Sequence, residues 1–157
     1  MTGVQTCALP ISRTEGGSAT TEIYTTTDTL SLHDALPIAD HLARSRTAFD
    51  LVLSSTALRT QETAQPIIER LKPRRVLFDR DLYLAPGTAL LDRLRRIEES
   101  VESVLLVGHN PGMHGLALSL AAPGSPARLP PLSGKFPTGA LACYRFKAPW
   151  RRLARVS

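Results

Sequence analysis

Two segments of this chain carry side chains that could manage an anionic or transferable group. One is Ser54-Ser55-Thr56-Ala57-Leu58-Arg59-Thr60-Gln61-Glu62-Thr63-Ala64, with Arg59 in it; the other is Gly108-His109-Asn110-Pro111. A histidine can donate to an anion, move a proton near neutral pH or accept a group as a nucleophile. An arginine offers a planar fork of donors matched to phosphate or carboxylate oxygens. Neither residue is decisive alone: His109 fits a packing role in a turn as well as a chemical one, and Arg59 could point to solvent or pair with Glu62. About fifty residues separate them, so only a fold that returns the chain to one edge can unite them.

The elements needed for that are legible. Residues 101–107 form an apolar, β-branched run that reads as a buried strand. Asn110 suits an N-cap, and Pro111 the first helical position, where its missing N–H costs nothing. His109 is thereby placed at the carboxyl edge of a parallel sheet, beside free helix N–H groups that favour anions. Residues 49–54 (FDLVLS) read as another strand, capped by Ser54 or Ser55 into a helix over 57–71 that ends before Pro73. Arg59 lies in the first turn of that helix, where the dipole disfavours a cation, and this points toward an anionic partner. Residues 76–78 form a further strand and 88–99 a helix with Leu90, Leu91, Leu94 and Ile97 at helical spacing; 111–121 form the helix after His109. The βαβαβα order predicts an α/β, three-layer sandwich with a mostly parallel sheet and helices on both faces. Residues 122–131 read as a loop able to act as a lid, 139–146 as a strand, and 150–156 as its returning partner in an edge hairpin.

Composition sets the limits. At 157 residues and 43% hydrophobic content the chain suits one domain. No stretch reaches the roughly 20 apolar residues of a membrane span, and the N-terminus lacks the order of a secretory signal, so a cytoplasmic location and no membrane partner are expected. Cys7, Cys143 and four histidines form no ligand spacing, so no metal or other cofactor is inferred. The net charge of +5 is uneven: residues 1–38 hold Arg13 against four acidic residues, leaving 18 basic and 10 acidic residues in 39–157. That surplus suits a phosphorylated ligand. Arg74-Arg75, Arg95-Arg96 and Arg151-Arg152 are isolated pairs without interleaved aromatics, so no specific nucleic-acid partner is expected.

Residues 1–38 stand apart. Ala8-Leu9-Pro10-Ile11 recurs as Ala35-Leu36-Pro37-Ile38 in a Thr- and Gly-rich stretch with no sustained period. Read back into codons, residues 2–11 (TGVQTCALPI) resemble one sequencing-library adapter. Residues 19–25 and 29–38 (ATTEIYT, TLSLHDALPI) resemble the opposite one, with the variable index between them. The segment is therefore read as translated adapter, unstructured and outside the fold, with the native domain spanning 39–157. His33 and Cys7 then carry no meaning. Without a strand from this region the sheet would keep two open edges and the chain would fold poorly.

Taken together, SSxALRTxxTA followed by VLLVGHNPG resembles the histidine phosphatase superfamily, especially its small SixA-type phosphohistidine phosphatases. Asp81-Leu82-Tyr83-Leu84-Ala85 and Lys135-Phe136-Pro137-Thr138-Gly139-Ala140 add to the likeness, which covers nearly all of 39–157. The resemblance implies a phosphoglycerate mutase-like fold whose first strand is missing or replaced here. It implies a phosphohydrolase acting on phosphohistidine proteins or small phosphomonoesters through a phosphohistidine intermediate. Arg59 and His109 match the family's second arginine and second histidine, which would bind the phosphoryl oxygens with Asn110 beside them and stabilise the transition state. His109 would do this best as the cation, both ring N–H groups donating. The family's nucleophilic Arg-His-Gly or Arg-His-Ala motif does not occur in this chain, so the chain as it stands is expected to be inactive. His41 and His114 are not expected to replace it, and Asp79 and Asp81 are the nearest carboxylates to the Tyr83 loop for the unassigned general acid. The alternative is a non-catalytic module that binds a phosphorylated ligand.

Overall fold

The computed structural model describes residues 6–13, 21–24, 39–40, 42–44, 48–120, 141–146 and 148–153. In chain order these form β1 (Thr6–Arg13), β2 (Thr21–Tyr24), β3 (Leu51–Ser55), α1 (Leu58–Leu71), β4 (Arg75–Asp79), a 3-10 turn (Arg80–Leu82), α2 (Gly87–Arg95), β5 (Ser103–His109), α3 (Gly112–Leu120), β6 (Leu141–Phe146) and a second 3-10 turn (Trp150–Arg152). The described strands make one sheet in the order β2-β6-β1-β5-β3-β4. β3, β4 and β5 run parallel to one another, so Ser55, Asp79 and His109 all end at one edge.

Period-2 alternation in the buried strands divides the core between the two faces of the sheet. Leu51, Leu53, Val104 and Leu106 face α2 and α3, packing with Leu90, Leu94, Met113, Leu116 and Trp150. Val52, Leu105 and Val107 face the other way, against Ala64 and Ile67 of α1 and against Ala39 and Leu42. The chain is thus an α/β three-layer sandwich with helices on both faces. α2 and α3 cross closely because Gly87 and Gly112 lack side chains: a Cβ on Gly87 would lie 2.8 Å from the Leu116 nitrogen, and one on Gly112 would collide with the Ala85 carbonyl oxygen.

Four features differ from the sequence expectations. Residues 1–38 were expected to lie outside the fold, but Thr6–Arg13 fills the space between β5 and β6. It runs antiparallel to β5 and parallel to β6, and Thr21–Tyr24 adds an edge strand. The fully buried Ile11 anchors that segment in the core, although Pro10, paired with Leu105, has no N–H for the ladder. The helix expected to reach residue 99 ends at Arg95. There Arg96 and Ile97 donate to the Arg93 and Leu94 carbonyls in a tight last turn.

Where a strand was expected over 150–156, Trp150–Arg152 form a 3-10 turn; residues 154–156 lie outside the described residues. Trp150 is fully buried, its indole N–H donating to the Val101 carbonyl at 2.6 Å and its ring meeting Phe146 edge-on at 5.0 Å. That anchoring, with Pro149 before it, turns the chain inward and leaves β1 and β2 as the partners of β6. Finally, α3 begins at Gly112, one residue later than expected, with Pro111 preceding it and supplying the carbonyl that accepts from Gly115. The suggested lid at 122–131, the 135–140 motif and His41 lie outside the described residues.

Candidate phosphate-binding site

The carboxyl edge collects the residues that could do chemistry. β5 is apolar and almost entirely buried from Val104 onward because it is flanked on both sides and covered on both faces, and it delivers His109 with only 3% of its surface exposed. Gly108 just before it leaves room for Met113, whose flexible side chain would have to shift for a Cβ there, 2.8 Å from its sulfur. The neighbouring strand ends in Ser54 and Ser55, both fully buried. The Ser55 Oγ lies 3.0 Å from the His109 Nε2. Burial pushes the His109 pKa below its ordinary value of 6.5, since desolvation penalises the cation. The ring therefore favours its neutral form at neutral pH.

Nδ1 of His109 is buried without a hydrogen-bond partner among the described residues. An unpartnered polar atom in a low-dielectric position costs free energy on the order of 1–3 kcal/mol. Such atoms mark places where a ligand completes the bonding. Tyr83 packs edge-on against the same ring, with centroids 5.7 Å apart, while its own side chain remains 56% exposed. The loop that carries it follows β4 and includes Leu84, a non-glycine residue with φ of 49°. Asn110 is half-buried in the turn that follows His109.

Arg59 occupies the second position of α1, four residues after Ser55, and is exposed. Among the described residues neither Glu62 nor any other side chain forms an ion pair with it, which removes one of the two bland explanations for its position. The expected serine cap is modified. Ala57 is the N-cap without a side-chain cap bond, while the Ser55 Oγ accepts from the Ala57 N–H at 3.3 Å and the Thr60 hydroxyl donates to the Ser55 carbonyl at 2.9 Å. The β3–α1 turn is thus fixed by Ser55 and Thr60, and the first helical N–H groups open near Arg59.

The structure brings together His109, Ser55 and Tyr83 by contact, and places Arg59 and Asn110 at the same edge. Of the two carboxylates near the Tyr83 loop, Asp79 is engaged elsewhere. Asp79 is held by Arg93, whose Nε donates to it at 2.6 Å, and by the Asp81 N–H at 2.9 Å. The Arg93 bond is the main reason its pKa lies below the ordinary carboxylate value. Asp81 is exposed. His114 lies half-buried within α3, outside the turn that carries His109. Ser55 is the residue that sequence reasoning undervalued, treating it only as a cap. The available signal was a hydroxyl at the end of an otherwise apolar buried strand, one strand away from the histidine.

The fold is SixA-like, of the histidine phosphatase type. A solved structure from Agrobacterium tumefaciens, provisionally assigned as the phosphohistidine phosphatase SixA, superimposes with a TM-score of 0.63 at 25% identity over 86% of this chain and 89% of that one. A second, from Nakamurella multipartitia and with the same provisional assignment, gives 0.67 at 21% identity over 99% and 92%, a likeness of fold. By sequence, an uncharacterised Mycobacterium tuberculosis protein is 37% identical over 107 residues, and a Mycobacterium leprae protein, also uncharacterised, is 31% identical over 108. The chain spans 65% of the length of these curated relatives. No protein-family model matches the chain.

Proposed function

We propose that the parent of this chain is a phosphohydrolase of the histidine phosphatase type, removing phosphate from phosphohistidine proteins or small phosphomonoesters in the cytoplasm through a phosphohistidine intermediate. The observation that carries the reading is the buried His109 at the carboxyl edge of a parallel sheet, with one ring nitrogen lacking a partner. Arg59, Asn110 and the N-terminus of α1 stand at the same edge. In this reading Arg59 and His109 bind the equatorial oxygens where charge spreads in the transition state. With Asp79 committed to Arg93, the general acid stays unassigned. A P–N bond to imidazole tolerates that better than a P–O bond to an alkoxide.

The chain itself is inactive in this proposal, because no Arg-His pair occurs in it to supply the nucleophile. We further propose that β1 is a substitute, translated from adapter sequence, for a native strand that carried that pair. Pro10 in an interior strand supports this, since proline is normally confined to sheet edges and bulges. The test is hydrolysis of an aryl phosphate and a phosphoramidate by residues 39–157 fused to a native N-terminal strand ending in Arg-His-Gly or Arg-His-Ala. Turnover is expected there and none from the chain as it stands, the loss of a covalent nucleophile typically costing on the order of 10⁴-fold or more. A folded fusion without turnover rejects the enzyme. Phosphate binding by that fusion without turnover would favour the second reading, a phospho-ligand-binding module, which rests on the missing pair.

A further inference from the structure

We propose that Ser55 is a positioning residue that holds His109 as the Nδ1–H tautomer and so aims an N–H donor at the anion. The second half rests on the phosphate-binding reading above; the first does not. The argument is an account of protons. The Ser55 Oγ already accepts from the Ala57 N–H at 3.3 Å, and its own proton has one acceptor within reach among the described residues, the His109 Nε2 at 3.0 Å. If Oγ–H donates to Nε2, every polar atom of the pair is satisfied except Nδ1–H. If instead Nε2–H donates to Oγ, two buried groups are orphaned, the serine proton and the Nδ1 lone pair. Sparing one buried unpaired group favours the first arrangement on the order of tenfold, against the intrinsic preference of free imidazole for the Nε2–H form.

The contact also resembles a nucleophile and its base, but that reading fails on access. Ser55 is fully buried beneath the β3–α1 turn, with no surface for a substrate to approach. Its hydroxyl is fixed by two neighbours and serves the ring. The consequence is that the unpartnered nitrogen of His109 is a donor rather than an acceptor. A donor suits a phosphoryl oxygen and repels a metal ion, which would need the lone pair. A ligand approaching the ring from solvent meets Tyr83, the exposed side chain packed on it.

The experiment is long-range ¹H–¹⁵N spectroscopy of the full chain labelled on histidine, above pH 6.5 where His109 is neutral. A protonated, pyrrole-type Nδ1 and an unprotonated, pyridine-type Nε2 are expected; the opposite pattern overturns the proposal without need of any variant. Ser55→Ala should move the tautomer ratio about tenfold toward Nε2–H. Ser54→Ala, which removes a hydroxyl that donates only to the Ser55 carbonyl, should leave it in place. Equal ratios in all three proteins also overturn the proposal. Titration with inorganic phosphate separates the two ideas: movement of the Nδ1–H resonance is expected. The tautomer as stated with no phosphate response would leave Ser55 its role and reject the phosphate site.

Discussion

Gly112→Ala and Gly115→Ala differ by one methyl placed three residues apart on α3, and the structure assigns them opposite signs. A Cβ on Gly112 would enter the Ala85 carbonyl oxygen, with the Ala85 carbonyl carbon at 3.1 Å and Leu90 Cδ1 at 3.5 Å behind it. The obstacle is backbone, so no rotamer change relieves it; α3 must lift or the Tyr83–Pro86 loop must move. Overpacking of this kind costs about 1–3 kcal/mol, and a rigid obstacle argues for the upper figure. At Gly115 the nearest atoms are Gly87 Cα at 3.9 Å and its nitrogen at 4.0 Å, ordinary contacts. There alanine adds helix propensity and stabilises by roughly 0.5–1 kcal/mol. Urea unfolding reads both. With m-values of about 1–3 kcal/mol/M the Gly112→Ala midpoint should fall by roughly 1–3 M while the Gly115→Ala midpoint holds or rises. Equal midpoints for the two variants would refute the packing argument. Because Ala85 follows the loop that sets Tyr83 against His109, Gly112→Ala should also perturb the His109 ring resonances, which Gly115→Ala should not.

Trp150→Phe keeps most of the buried ring but leaves the Val101 carbonyl without its 2.6 Å donor; a loss of about 1–3 kcal/mol in the same unfolding assay is expected. His109 has a folded pKa below its unfolded one, so its contribution to stability is present above pH 6.5 and is lost as the pH falls through the lowered value. Asp79, also lowered, loses its contribution only below pH 3.8. Acid titration of the parent should therefore show two limbs, with His109→Gln flattening the upper one and Asp79→Asn the lower.

The parts legible in sequence were those where local pattern and tertiary context agree. β3 and β5 are short apolar runs followed by turn residues, and α1 ends where Lys72 takes φ of 47° just before Pro73. The sheet edge that receives His109 and Arg59 follows from the alternation of strands and helices alone. What was not legible depended on partners remote in sequence. A return strand over 150–156 would have paired with β6, yet the Trp150 indole N–H finds a carbonyl 49 residues away and the chain turns in. Residues 6–13 have no periodicity that demands a strand; the gap between β5 and β6 gives them one. The lowered pKa of His109 depends on remote partners in the same way, since a ring's dielectric surroundings come from the layers that cover it.

That protonation state divides the labour between the two candidate anion ligands, and the division can be measured. Arg59 is an exposed full charge, so its attraction for phosphate acts at long range and is screened with a Debye length of about 8–10 Å at ordinary salt. His109 is buried and neutral, so its contribution is a short hydrogen bond in a low-dielectric position, which salt scarcely touches. Inorganic phosphate titrated at several ionic strengths should accordingly bind more weakly as salt rises. In Arg59→Ala affinity should drop several-fold and the salt slope flatten; in His109→Gln affinity should drop while the slope of the parent persists. Arg59→Ala should also raise thermal stability slightly, because a cation in the first turn of α1 opposes the dipole by about 0.3–1 kcal/mol. Binding weakened by both variants with identical salt slopes would mean that the two residues do not share the site in this way, and a destabilised Arg59→Ala would show that Arg59 is held by the fold rather than kept for a ligand.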